Sequence, residues 1–211
     1  IAAVMASGCL PRIVFLLDHS SASIITPALR TVGNLLTGDD LQTEAVLQSG
    51  FMSKVAKLLA NKRRGIQKEV IWAISNITAG TVSQIEAVIR AELIPKLVAI
   101  AHFNSNADII KEVIWALSNF LSGGSQTQIL YVMAQGLVGA FVQILSQTVP
   151  ANTKQAALEG LTTMLKKVPQ LGPQLSPLLD LLLEWEGSEY TELAAAASDL
   201  LGLIDDQDQD S

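Results

Sequence analysis

The chain is poor in most of the residue types that carry chemistry. Its 211 residues include one cysteine, Cys9, and two histidines, His19 and His102. A single cysteine cannot close an intrachain disulfide or build a thiolate metal cluster, and its scarcity suits a reducing compartment. With only His19 and His102 available, neither a histidine zinc site nor a two-histidine mechanism is expected, and no cofactor is implied. Aromatic residues make up 5% of the chain, while Leu, Ile, Val and Ala dominate an apolar share of 49%, which favours packed helices over a β-sandwich core. Charged residues are only 16% and mean hydropathy is +0.38, so general disorder is excluded. No uncharged apolar run reaches about 18 residues, and no basic segment precedes the opening Ile1-Ala2-Ala3-Val4-Met5. Neither a membrane span nor a signal peptide is therefore expected. The chain opens without an initiator methionine and inside a helical pattern, which suggests a piece of something longer.

Basic residues are missing from one end. Against 20 Asp and Glu the chain holds 14 Lys and Arg, a net charge of −6, yet no base follows Lys167. Ten of the acids, from Asp180 to Asp210, lie beyond that point, so residues 1–167 are net positive. An acidic total argues against nucleic acid as a partner, because phosphate neutralisation needs a basic excess. The uneven distribution means that any other partner has to be argued locally.

What the chain does have is a repeat. Asn34 with Thr37-Gly38, Asn76 with Thr78-Ala79-Gly80, and Asn119 with Ser122-Gly123 recur at nearly constant spacing, and Lys68-Glu69-Val70-Ile71-Trp72-Ala73 returns as Lys111-Glu112-Val113-Ile114-Trp115-Ala116. A second phase, at Leu10-Pro11-Arg12, Met52-Ser53-Lys54, Ile94-Pro95-Lys96 and Val138-Gly139-Ala140, starts helices that follow short ones ending near Gly8, Gly50, Glu92 and Gly136. Each unit of about 42 residues reads as three helices, the third closed by a glycine in the left-handed conformation, and that is the armadillo period. The fold class expected is all-α, a right-handed armadillo-repeat superhelical solenoid. Copies fall near 1–38, 39–80, 81–123, 124–167 and 168–204, with Leu175–Trp185 and Glu189–Ile204 as a last helix pair and 205–211 as an acidic, disordered tail. The pattern fades in the fourth copy, where Leu158 and Thr162 take the Trp and Asn positions.

At about 100° per residue, Val70, Ile71, Ile74 and Ile77 form one stripe of a third helix, and Trp72, Asn76 and Glu69 share the opposite face. Trp115, Asn119 and Glu112 repeat the arrangement, and Arg30 and Asn34 keep its register in the first copy. Packing on the next repeat explains a single outward Trp, but it gives no reason for a recurring Trp-x3-Asn. A surface for an extended peptide does: an Asn amide both donates and accepts, and helices stacked about 8–10 Å apart place one amide at about every third ligand residue. Indoles can flank a Lys or Arg stem, and Glu69, Glu112, Asp39 and Asp40 can meet its charge. Asp39-Asp40 serves equally well as a helix cap. Lys62-Arg63-Arg64 reads as a solvated turn, and no nucleophile and base stand at useful spacing, so catalysis has no support.

The segments Ala28–Asp40, Trp72–Gly80 and Trp115–Asn119 with Ser122–Ser125 resemble the sixth, seventh and eighth armadillo repeats of the importin alpha family, and a looser likeness runs to about residue 204. That resemblance implies a non-enzymatic nuclear-import adaptor that shuttles between cytoplasm and nucleus. It implies the minor half of a groove for basic nuclear localisation signals. Trp72 and Trp115 would stack on basic stems, and Asn34, Asn76 and Asn119 would grip the peptide backbone. Leu36, Gly38, Asp40, Thr43, Ser75, Glu69 and Glu112 would line its pockets, and Arg30 would interrupt the Trp array. It further implies importin beta as a partner through a segment absent here, and an export receptor at the C-terminal repeat near Glu184–Asp199. An armadillo scaffold of the adhesion or signalling kind, binding other segments, is the alternative.

Overall fold

The computed structural model describes residues 1–209, and the described residues contain helices and no strand. Three helices precede the first recurring glycine: α1 (Ala2–Ala6), α2 (Leu10–Leu16) and α3 (Ala22–Leu35). The same order returns as α4 (Asp40–Gln48), α5 (Met52–Leu59) and α6 (Arg64–Thr78), then α7 (Val82–Arg90), α8 (Leu93–Phe103) and α9 (Ala107–Gly123). It continues with α10 (Gln126–Ala134), α11 (Leu137–Leu145) and α12 (Ala151–Lys167). The last set differs: a 3₁₀ segment, Pro169–Leu178, leads into α13 (Leu179–Glu186) and α14 (Thr191–Gln209). Pro169 is tolerated at the first position, but Pro173 and Pro177 lie inside the segment and lack the N–H that an α-helix needs there, and the segment winds as 3₁₀ instead. Leu175–Leu178 therefore belongs to this segment and not, as the sequence suggested, to the helix that follows. The last helix, α14, runs past Ile204 through Asp205 and Asp206 to Gln209, and residues 210–211 of the expected tail lie outside the described residues. Adding residues to a helix already nucleated costs little.

The third helices pack in succession, α3 on α6, α6 on α9, α9 on α12 and α12 on α14. The apolar stripe explains this order. Val70, Ile71, Ile74 and Ile77 of α6, and Val113, Ile114, Leu117 and Phe120 of α9, are all fully buried. So are Ala73 and Ala116, whose small size lets successive third helices approach each other. Truncating any of the Ile, Leu or Phe residues among them to Ala costs about 2–5 kcal/mol in cores of this density.

Polar side chains tie the repeats together along two lines. On the first helices, Asp39, Thr81 and Ser125 cap α4, α7 and α10, each in a reciprocal box with Gln42, Gln84 or Gln128. Two of these glutamines also reach back one repeat: Gln84 Nε2 donates to the Asp40 carbonyl at 3.1 Å, and Gln128 Nε2 to the Val82 carbonyl at 3.0 Å. On the third helices, Asn76 Nδ2 donates to the Gly33 carbonyl and Asn119 Nδ2 to the Ser75 carbonyl, both at 3.1 Å. The Thr78 hydroxyl crosses in the other direction, donating to the Ala116 carbonyl at 2.9 Å. Where Asn gives way to Thr162, this line of amide-to-carbonyl bonds ends. Separately, Ser118 Oγ is buried without a partner among the described residues.

The glycines that follow the third helices are not left-handed, contrary to the expectation from the repeat. Gly38 and Gly80 are needed for room, because a Cβ there would run into Oε1 of Gln42 or Gln84 in the capping boxes. The left-handed positions close the first helices instead, at Gly8, Gly50 and Gly136 with φ of 68°, 87° and 88°. In the third copy that position holds Glu92, with φ of 52°. An L-residue there costs about 1–2 kcal/mol, part of which glycine gives back through its freer unfolded state. Glu92→Gly should accordingly stabilise the chain by about 0.5–1 kcal/mol in urea unfolding. A midpoint that stays put or falls would refute the strain.

Candidate functional site

The outward face of the third helices carries two adjoining hollows. The first, of about 270 Å³, is lined by Arg30, Asn34, Lys68, Glu69, Trp72 and Glu112. The second, of about 320 Å³, is lined by Trp72, Ser75, Asn76, Lys111, Glu112, Trp115 and Asn119. Trp72 and Glu112 belong to both, so the two form a short groove divided by one indole and sharing one carboxylate.

Helical spacing sets this arrangement. Glu69, Trp72 and Asn76 follow one another at three and four residues along α6, and Glu112, Trp115 and Asn119 do so along α9, which puts each set on one face. Both indoles are half-buried. Trp72 lies against α3 at Gly33, where a Cβ would run into the edge of its ring. Asn76 bonds to the carbonyl of that same residue. Trp72 thus both packs on the neighbouring repeat and lines the two hollows.

The asparagines are more committed than the sequence suggests. Asn76 and Asn119 each spend an amide hydrogen on the backbone of the preceding repeat, so each keeps one N–H and the side-chain oxygen for a ligand. Asn34 is exposed. Ser75 lines the second hollow but is itself buried, its hydroxyl donating to the Trp72 carbonyl at 2.8 Å. Leu36, Gly38, Asp40 and Thr43 line neither hollow. Leu36 and Thr43 are buried at the turn from α3 into α4, where they are 3% and 4% exposed. The Asp40 side chain is exposed on the first turn of α4, while its neighbour Asp39 caps that helix by accepting from Gln42 N–H at 2.9 Å. The Gln42, Gln84 and Gln128 boxes were missed as a stacking device, although the recurring Asp/Thr/Ser-x-x-Gln was there to be found.

Charge in the groove is nearly balanced. Arg30 Nε donates to Glu69 Oε1 at 2.7 Å, so Glu69 already has an internal guanidinium partner. Lys68 stands 4.0 Å from Asp108, and Lys111 lines the second hollow. Glu112 is the carboxylate left without a close partner among the described residues. Partial burial pushes its carboxyl above the usual value; Lys68 and Lys111 pull it back down, and Glu69 and Asp108 push it further up. The groove can therefore offer flat indole faces, spare amide groups and one desolvated carboxylate that gains from a cation.

The Armadillo/beta-catenin-like repeat model matches residues 1–37, 39–79 and 81–122. The chain belongs to the armadillo repeat family. Over 46 residues it is 63% identical to importin subunit alpha-1b of Oryza sativa subsp. japonica and 59% identical to importin subunit alpha-3 of Arabidopsis thaliana. These matches cover 22% of the chain and only 9% of each relative. Among solved structures, a designed armadillo repeat protein in complex with the peptide (KR)4 superposes with a TM-score of 0.90 at 25% identity, covering 96% of this chain and 84% of that one. A computationally designed armadillo repeat protein for modular peptide recognition gives a TM-score of 0.88 at 23% identity, with coverage of 96% and 84%. The likeness at 23% identity bears on the armadillo fold alone. No single helix among the described residues is long and apolar enough to cross a membrane.

The raised Glu112 carboxyl has a signed consequence for this armadillo array. The folded state holds that proton more tightly than the unfolded chain, so this group's share of stability is present at low pH. It is lost as pH rises through 4.5, the ordinary value, to the raised one. Glu112→Gln should melt at a higher temperature than the parent at pH 7, and the gap should close below pH 4.5. A variant that melts lower at pH 7 would show that the charge stabilises the fold.

Proposed function

We propose that this armadillo array is part of an importin alpha-like adaptor and that its third-helix groove binds basic peptides in an extended conformation. The observation that carries the reading is the tandem of hollows sharing Trp72 and Glu112. A Lys or Arg stem laid between Trp72 and Trp115 covers apolar ring surface, and its charge, held over the indoles, adds about 0.5–2 kcal/mol. Glu112 then loses its desolvation penalty to a partner. Asn34, Asn76 and Asn119 hold the ligand backbone with the groups they have left. Two likenesses support the choice of ligand: the 46-residue identity to importin alpha subunits, and the fold shared with a designed protein bound to (KR)4.

On this reading the function is binding, not catalysis. The groove is the minor-site half of a receptor for nuclear localisation signals. Importin beta would engage a segment outside this chain, an export receptor would meet the acidic C-terminal repeat, and the protein would shuttle between cytoplasm and nucleus. Gly38 and Asp40 would act at one edge of the ligand's path, and the buried Leu36 and Thr43 would shape that edge from beneath. Arg30, already seated on Glu69, would be a competitor that a basic ligand has to displace.

The test is a titration with a labelled peptide of alternating Lys and Arg. Glu112→Gln should weaken binding about five- to tenfold, the range of one charge-assisted contact, while the fold is unharmed. Arg30→Ala, which frees Glu69, should tighten binding severalfold. Equal affinity for the parent and both variants would remove the groove as the binding site.

A further inference from the structure

Lys62-Arg63-Arg64, which plays no part in the groove, borders a separate hollow of about 450 Å³ between the second and third repeats. Asn61, Lys62 and Arg64 form one wall, at the entry to α6, and Phe103, Asn104 and Ser105 form the other, at the end of α8. The asparagine acceptors on these walls are engaged locally, whereas Gln67, which also lines the hollow, spends its Nε2 on the Leu59 carbonyl at 3.1 Å and keeps its oxygen. Asn61 Oδ1 accepts from Arg63 N–H at 2.9 Å, Asn104 Oδ1 from Asn106 N–H at 2.8 Å, and Asn106 Oδ1 from Ile109 N–H at 3.2 Å. That leaves the amide N–H groups of Asn61 and Asn104, the Ser105 hydroxyl, and two full positive charges. Among the described residues, none of Lys62, Arg63 and Arg64 joins a salt bridge, and no carboxylate lines the hollow. At its rim Phe103 is 90% exposed, the most exposed large apolar side chain among the described residues.

A set rich in free donors, with two unpaired cations and an adjoining bare ring, is complementary to a carboxylate next to an apolar side chain. We propose that this hollow is a second docking site, for an acidic peptide segment of a protein partner. An Asp or Glu side chain enters between Lys62 and Arg64 and accepts from the Asn61 and Asn104 amides, and a neighbouring apolar residue covers Phe103. A nucleic acid fits less well. Three clustered cations release few counterions, so little of the sequence-independent attraction that nucleic-acid binding relies on is available here. The site shares no lining residue with the groove, so the two can be occupied independently.

The experiment is an anisotropy titration of the whole chain with a fluorescein-labelled peptide in which Glu alternates with Leu. The expected result is saturable, salt-sensitive binding that weakens about tenfold in the Lys62→Ala/Arg64→Ala double variant and about threefold in Phe103→Ala. All three residues are solvent-facing, and the affinity of the double variant for the Lys/Arg peptide should stay within about twofold of the parent, which shows the fold intact. Three outcomes would overturn the proposal: no saturable binding to the parent, which leaves only a solvated turn; equal binding by the parent and the double variant; or tighter binding of a single-stranded oligonucleotide of the same charge.

Discussion

The structure depends on how a third helix is held against the one before it. Trp72 lies on Gly33, and Asn76 bonds to the Gly33 carbonyl, so one pair of side chains sets both the closeness and the register of two repeats. Asn119 on Ser75 repeats the bond one unit further along. Each bond is worth about 0.5–1.5 kcal/mol by itself. In a solenoid, where each repeat is stabilised through its neighbours, such contacts act at every interface they recur in. The residues that stack the array therefore also face its groove. A ligand laid there would meet side chains already immobilised by the fold, and the entropy of ordering them would not be charged to binding.

Much of this was legible in the sequence. The hexad Lys68–Ala73 and its return at Lys111–Ala116 fixed the period, and the stripe of Val70, Ile71, Ile74 and Ile77 identified the buried face, because helical spacing alone decides which side chains point together. What escaped was how side chains divide their work between fold and surface. Asn76 and Asn119 look free on a helical wheel, but a wheel shows one helix, and their partners belong to another. Thr43 and Leu36 have nothing in their local pattern to say that the turn from α3 into α4 folds over them. The left-handed position was misassigned for a similar reason: a glycine can be required by conformation or by crowding, and although the recurring Asp/Thr-x-x-Gln marks the capping boxes, spacing alone does not show that Gln42 and Gln84 crowd Gly38 and Gly80.

Electrostatics changes the account more than packing does. The net charge of −6 sits largely at the C-terminal end, and the groove is close to neutral, because Arg30 answers Glu69 and Lys68 stands near Asp108. Bulk attraction for a basic peptide is thus a weak explanation. Placement is a better one: Glu112, partly desolvated and beside two indoles, gains more from a cation than a fully hydrated surface acid would. The basic loop at Lys62–Arg64 is set apart from that carboxylate and faces its own hollow, so a net-acidic chain can offer surfaces of both signs.

The central claim is that ligand stems lie against Trp72 and Trp115. The chain has three tryptophans, and the third, Trp185, is buried and covered by Lys154, whose Nζ is 4.5 Å from its ring centroid. Indole N–H resonances followed by NMR during titration with the Lys/Arg peptide read all three at once. Saturable shifts of Trp72 and Trp115, with Trp185 unmoved, are the result this account predicts. Shifts confined to Trp185, or none in any indole while the peptide demonstrably binds, would contradict it.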